Sequence, residues 1–169
     1  YQLVGQTYLE MGQPRQALPY LEYYAQNASK MTEGEFYQLG YAQYQEGDYQ
    51  KAVKNFEQLD NVDSELGQYA QFYRADSYLR MGNKTSAFSS FRAASRMDYD
   101  SELREDALFA YAKLGYELKK DREALLALQS IQRNSKYYSE AQTLMSEIFL
   151  NTRDYQRAMK ILEEIPNKT

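Results

Sequence analysis

The chain contains no cysteine, no histidine and no tryptophan. Without cysteine there is no disulfide, no thiolate nucleophile and no thiolate-ligated zinc. Without histidine there is no imidazole base for a Ser-His or Cys-His pair and no nitrogen ligand for a metal. No run of about 18 apolar residues is present, so no transmembrane segment is expected. Lysine and arginine total 20 against 24 aspartates and glutamates, a formal net charge of −4, with no basic block. That balance disfavours a grip on nucleic-acid phosphates. Only 3 prolines and 8 glycines occur in 169 residues, a composition suited to long regular elements. Mean hydropathy is −0.79, yet this understates the apolar content. Tyrosine alone supplies 18 residues, and its ring buries well although scales score it as polar. One folded domain follows from length and composition.

The chain repeats itself. An alanine four residues before a large apolar side chain recurs as Ala17/Leu21, Ala52/Phe56, Ala87/Phe91, Ala124/Leu128 and Ala158/Leu162. Successive alanines are 35, 35, 37 and 34 residues apart. A short turn precedes each one: MGQPRQA, EGDYQKA, MGNKTSA, KKDREA and TRDYQRA. Gly12, Gly47 and Gly82 share one offset, where a left-handed helix C-terminus would exclude a Cβ. Lys119 and Arg153 replace that glycine in the last two units, so those turns are expected to be built differently. Asp48 and Asn83 suit N-caps, and Pro14 suits a first helical position. Thr32 with Glu35 has capping-box spacing. Ser64, Ser101 and Ser135 are expected caps for later helices.

Apolar residues three and four apart predict a first helix in each unit at about 1–11, 33–46, 65–81, 102–118 and 136–151. A second helix follows at about 14–28, 49–60, 84–97, 122–133 and 155–165 by the same argument. The expected units are 1–31, 32–63, 64–99, 100–134 and 135–169. Because Tyr1 already lies inside a helical pattern, the sequence reads as a fragment of a longer chain.

Leu39-Gly40, the later Gly47 and Ala52-x-x-x-Phe56 resemble the W-x2-L-G-x2-Y…G…A-x3-F pattern of tetratricopeptide repeats, whose period is 34 residues. The small residue of the first helix continues as Gly5, Ala75, Ala112 and Ser146. The tryptophan position carries Tyr1, Phe36, Gln71, Leu108 and Gln142. The resemblance implies an all-α, right-handed α-solenoid of about five helix–turn–helix repeats acting as a non-enzymatic protein–protein interaction scaffold. It further implies that a peptide or helix lies on the concave face lined by the first helices. The inward offsets there carry Tyr37, Tyr41, Tyr44, Phe72, Asp76, Phe109, Lys113 and Tyr116, an aromatic-rich set. Tyrosine suits contact surfaces because it offers large area with few rotors. The same rings can equally pack between neighbouring helices. Family members that clamp a C-terminal carboxylate use lysine, asparagine and arginine where Tyr37, Tyr41, Phe72 and Asp76 stand, so that ligand is not expected.

The expected partner is another protein or peptide, with no nucleic acid, no membrane insertion, no metal and no cofactor. The alternative is a structural or self-assembling module pairing through its ends or faces, such as a homo-oligomer through its exposed terminal repeats. Residues 36–59 and 70–91 also look like repeats of Gram-negative envelope proteins such as those of Tol–Pal and outer-membrane assembly. That likeness would imply a periplasmic scaffold, with a cytoplasmic one as runner-up. The acidic stretch Asp98, Asp100, Glu102, Glu105 and Asp106 lacks the glycine of a calcium loop and reads as a solvated loop with helix N-terminal charge. Asn27, Asn83 and Asn167 begin glycosylation triplets, which carry meaning only in a secretory setting.

Overall fold

The structure is a computed structural model that describes residues 1–165. The third glycosylation triplet, at Asn167, lies outside the described residues, as does Pro166. Among the described residues every regular element is a helix, and there are ten. They form five antiparallel hairpins: α1 (Gln2–Glu10) with α2 (Pro14–Asn27), α3 (Glu33–Gln45) with α4 (Tyr49–Glu57), and α5 (Glu65–Arg80) with α6 (Lys84–Ser95). The last two are α7 (Ser101–Glu117) with α8 (Asp121–Gln129), and α9 (Tyr138–Asn151) with α10 (Tyr155–Glu164).

Small residues set the distance between helices. The five repeat alanines, Ala17, Ala52, Ala87, Ala124 and Ala158, are each 0% exposed. Within a hairpin the first helix also presents a small residue to the second. A Cβ placed on Gly5 would stand 2.7 Å from Leu21 Cγ, and one on Gly40 would stand 3.0 Å from Phe56 Cε1. Ala75, Ala112 and Ser146 occupy the same offset in later hairpins and are buried. The large partners Leu21, Phe56, Phe91 and Leu128 fill the adjacent space and are nearly inaccessible. Leu162, their counterpart in α10, is 47% exposed.

Each helix packs on its chain neighbours, and α1, α3, α5, α7 and α9 also touch one another in series. The backbones of successive second helices stay further apart, although Lys51 of α4 reaches Glu22 of α2 at 3.6 Å. The closer approach of the first helices is what solenoid geometry expects on an inner side.

The five hairpin turns share one construction, contrary to the expectation for the last two. Lys119 and Arg153 adopt φ of 61° and 64°, beside 71°, 83° and 81° at Gly12, Gly47 and Gly82. The hydrogen bonds match as well. Gly47 N–H donates to Tyr44 O and Asp48 N–H to Gln43 O; Lys119 N–H donates to Tyr116 O and Lys120 N–H to Gly115 O. This pair of bonds is the Schellman ending. The two bonds outweigh the left-handed cost of a Cβ, so the motif survives replacement of glycine by an unbranched residue.

Capping follows the expectation at Thr32, Ser64, Asp48 and Asn83. It departs at two places. Asp100, not Ser101, caps α7 by accepting from Leu103 N–H. Tyr137 is the N-cap residue of α9, and Ser135 Oγ, two residues before it, accepts from Tyr137 N–H. In both places the hydrogen-bonding side chain sits ahead of the helix start that the apolar spacing suggested. Gly67 was not singled out by the repeat pattern, yet a Cβ there would fall 1.8 Å from Val62 O.

The shared turn gives opposite outcomes for two exchanges. Gly47→Ala introduces the left-handed penalty and is expected to lower unfolding free energy by about 1 kcal/mol. Lys119→Gly removes that penalty and, after the added freedom of the unfolded chain, is expected to raise it by about 0.5 kcal/mol. Urea unfolding followed by circular dichroism reads both. A loss on Lys119→Gly would contradict the shared geometry.

Candidate partner-binding surface

The eight inward residues divide into two groups. Toward the amino terminus, Tyr37, Tyr41 and Tyr44 run along α3 with successive ring centroids 5.8 and 6.2 Å apart. Tyr73 of α5 closes against both Tyr41 and Tyr44 at 5.1 Å. Tyr37 also packs on Phe56, and all four rings are half-buried. Phe72 leans edge-on against Phe91 of α6 at 5.5 Å. Asp76 accepts from Tyr44 Oη and, at 3.0 Å, from Arg80 Nε. These side chains are engaged with one another along the seam between hairpins.

Toward the carboxyl terminus, Phe109, Lys113 and Tyr116 of α7 face Glu140, Thr143, Leu144 and Glu147 of α9 across an open cleft of about 520 Å³, with Glu117 at its edge. A second cavity of about 360 Å³ shares Phe109, Lys113, Glu117 and Glu140 and extends it to Leu79 of α5 and Tyr137. The two form one groove on the inner side. Its floor is apolar: Phe109 is 6% exposed and stacks on Tyr137 with centroids 4.6 Å apart. Its rim is charged. Among the described residues Lys113, Glu140 and Glu147 form no ion pair, whereas Glu117 pairs with Lys84 at 3.0 Å. Lys113 Nζ lies 5.7 Å from the Phe109 ring centroid. The groove carries more acid than base.

The repeat pattern did not pick out the tyrosine–carboxylate bonds that join one hairpin to the next. Tyr69 Oη donates to Asp100 at 2.8 Å and Tyr99 Oη to Asp63 at 2.7 Å; Tyr44 and Tyr137 donate to Asp76 and Asp106. The acidic stretch is thus only partly a solvated loop. Asp100 is a cap and a tyrosine acceptor, and Asp106 also pairs with Lys136 at 3.1 Å. Gln68, fully buried, donates to Met97 O at 2.7 Å and accepts from Asp100 N–H at 2.8 Å, tying the end of α6 to the start of α7. A near-constant separation of about one repeat between tyrosine and aspartate is the sequence signal that could have found these pairs.

These contacts hold the phenols in their protonated form. The Asp100 hydrogen bond, followed by burial, pushes Tyr69 up to about 12. Burial, then the Asp106 bond, pushes Tyr137 up to about 12. Burial is also the leading cause of the upward shifts at Tyr37, Tyr44 and Tyr73. Asp100 is lowered, chiefly by the Leu103 N–H and then by Tyr69. Among the described residues no cluster of acidic side chains is arranged to hold a metal ion. No helix there is long and apolar enough to cross a membrane.

A family model described as tetratricopeptide repeat protein 21 ARM repeat matches residues 64–165, and one described as tetratricopeptide repeat matches residues 36–61. No curated protein matches the chain significantly. Among solved structures, MamA is 12% identical over 95% of this chain and 91% of its own, with a TM-score of 0.72. MamA from Desulfovibrio magneticus RS-1 is 18% identical over 98% and 90%, at 0.67. The TPR-like repeats of a kinesin-light-chain-type protein from Podosopora anserina are 16% identical over 97% and 90%, at 0.62. At these identities the likeness is one of fold. The expected likeness to Tol–Pal and outer-membrane assembly proteins gains no support from these matches.

Because the seam tyrosines have native pKa values above the ordinary 10.0, the stability they contribute is complete below about pH 10 and is lost as pH rises through their native values. Alkaline unfolding is therefore expected to begin above about pH 10 and steepen toward 12. Tyrosinate absorbance should show one class of phenols ionising before helicity falls and a second class ionising with it. A single titration near 10 with helicity intact would contradict the assignment.

Proposed function

The chain belongs to the family described as tetratricopeptide repeat protein 21 ARM repeat, and on that premise we propose that it is a non-enzymatic scaffold that holds a peptide or helix of another protein in its inner groove. Repeat arrays of this class work as interaction surfaces rather than as catalysts. The observation that carries the reading is the open cleft between α7 and α9, where an apolar floor of Phe109 and Leu144 lies beneath Lys113, Glu140 and Glu147. An amphipathic segment can bury an apolar face on that floor while its charges meet the rim. Phe109, Lys113 and Tyr116 would contact such a segment directly. Tyr37, Tyr41, Tyr44, Phe72 and Asp76 would shape the inner surface beside it through their mutual packing.

Affinity capture from source cells with the unaltered chain and with Glu147→Arg tests this. Glu147 is exposed at the rim, so the exchange leaves helicity unchanged. Loss of the co-purifying partner at unchanged helicity is the expected result. An identical set of captured proteins would contradict the groove.

A second reading, self-assembly, is favoured by the two ends of the stack. Leu3 and Val4 of α1 are 74% and 43% exposed, and Met159 and Leu162 of α10 are 57% and 47% exposed. Val4 and Leu162 stand one or more repeat lengths from Leu39 and Phe56, which are buried inside the stack. Sedimentation velocity over a concentration series should then show association that Leu162→Glu removes. A monomer at all concentrations would exclude this reading.

A further inference from the structure

A second cleft, of about 340 Å³, lies away from the inner groove, between α6, α7 and α8. Arg92 of α6, Arg96 at its C-cap and Arg104 of α7 line it together with Leu108, Leu126 and Glu123. Three guanidinium groups against one carboxylate give this cleft a positive balance on a chain whose net charge is −4. The charges are largely unspent. Among the described residues Arg92 and Arg96 form no ion pair, and Arg104 has only Asp98 at 3.7 Å. Arg104 Nε is buried and finds no hydrogen-bond acceptor. That inner nitrogen is closed off, so an incoming oxygen would meet the outer nitrogens of a guanidinium whose side chain is 36% exposed. Beside the arginines, Leu126 is 62% exposed, although it sits on a helix whose opposite face is core. A positive charge at the end of α6 favours the helix dipole. That role accounts for Arg92 and Arg96 but not for Arg104, which comes from the first half of another helix, nor for the open leucine.

From this convergence we infer that the α6–α7–α8 cleft binds an acidic peptide segment of another protein, carboxylates to Arg92, Arg96 and Arg104, and a leucine-sized side chain against Leu126 and Leu108. Arginine suits this because its fork takes a carboxylate with two parallel hydrogen bonds. The inner groove, with its acidic rim, would repel the same segment, so the two surfaces select partners of opposite charge.

The test is fluorescence anisotropy with a dye-labelled Glu-Glu-Leu-Glu-Glu peptide at about 50 mM salt, where exposed charges are weakly screened. A Lys-Lys-Leu-Lys-Lys peptide is the control. The acidic peptide is expected to bind and the basic one not to bind to this cleft. Arg92→Glu and Arg96→Glu, both at exposed positions, should each weaken binding about tenfold, or about 1.4 kcal/mol. Leu126→Ser should weaken it about fivefold. Glu147→Arg, in the inner groove, should not weaken binding, so failure of this site and failure of the groove are separate results. Circular dichroism confirms that each variant keeps its helices. No rise in anisotropy up to millimolar protein, or binding that ignores Arg92→Glu and Arg96→Glu, would overturn the inference. Loss on the arginine exchanges with no effect of Leu126→Ser would reduce the site to general charge attraction and would also overturn it.

Discussion

Everything in this molecule depends on how closely two helices can approach. A short helix in water is marginal, so each of the ten must gain its stability from neighbours. The approach is set by a side chain of one carbon or none. Gly5 meets Leu21 at a distance that admits no Cβ unless the leucine shifts, Gly40 meets Phe56 at one that admits a Cβ only if the ring gives way, and the five repeat alanines are fully buried. Around these points dispersion and apolar burial act at full contact, because interiors tolerate few gaps. Placing the small residue at one offset in every unit repeats the same approach five times, and a solenoid results.

On this apolar frame lies a polar layer that fixes how one hairpin sits on the next. Tyr44, Tyr69, Tyr99 and Tyr137 each reach a carboxylate about one repeat away. Gln68 performs a similar task with main-chain groups and no solvent access. Apolar contacts are non-directional, whereas these bonds require particular alignments of donor and acceptor. The abundance of tyrosine thus has a structural cause over much of the chain. The ring fills the seam, and the hydroxyl crosses it.

The helices were legible because their signals are local. The alanine period, the Gly-x turn and the Thr32–Glu35 spacing are read within a few residues, and the helix bounds agree to within about four residues. Lys119 and Arg153 misled because glycine marks a left-handed residue without being required for it. Ser101 misled because the Asp100 carboxylate one residue earlier takes the cap, and Ser135 because α9 begins two residues later than the apolar spacing suggested. The offsets along the first helices do not tell how their side chains are used. Nothing in the spacing separates Tyr41, which packs on Tyr73, from Tyr116, which lines an open cleft. That difference depends on which side chain the neighbouring repeat supplies at the facing position.

The contact pattern of the two helix series has a mechanical consequence. The inner helices touch in series along their backbones, whereas the outer helices keep their backbones apart and are bridged by a long side chain, as Lys51 of α4 reaches Glu22 of α2. Bending the array more tightly or more openly therefore pivots about the inner seam and changes the outer spacing first. Such an arrangement behaves as a leaf spring with a stiff inner leaf. Its radius can change without unpacking a single hairpin.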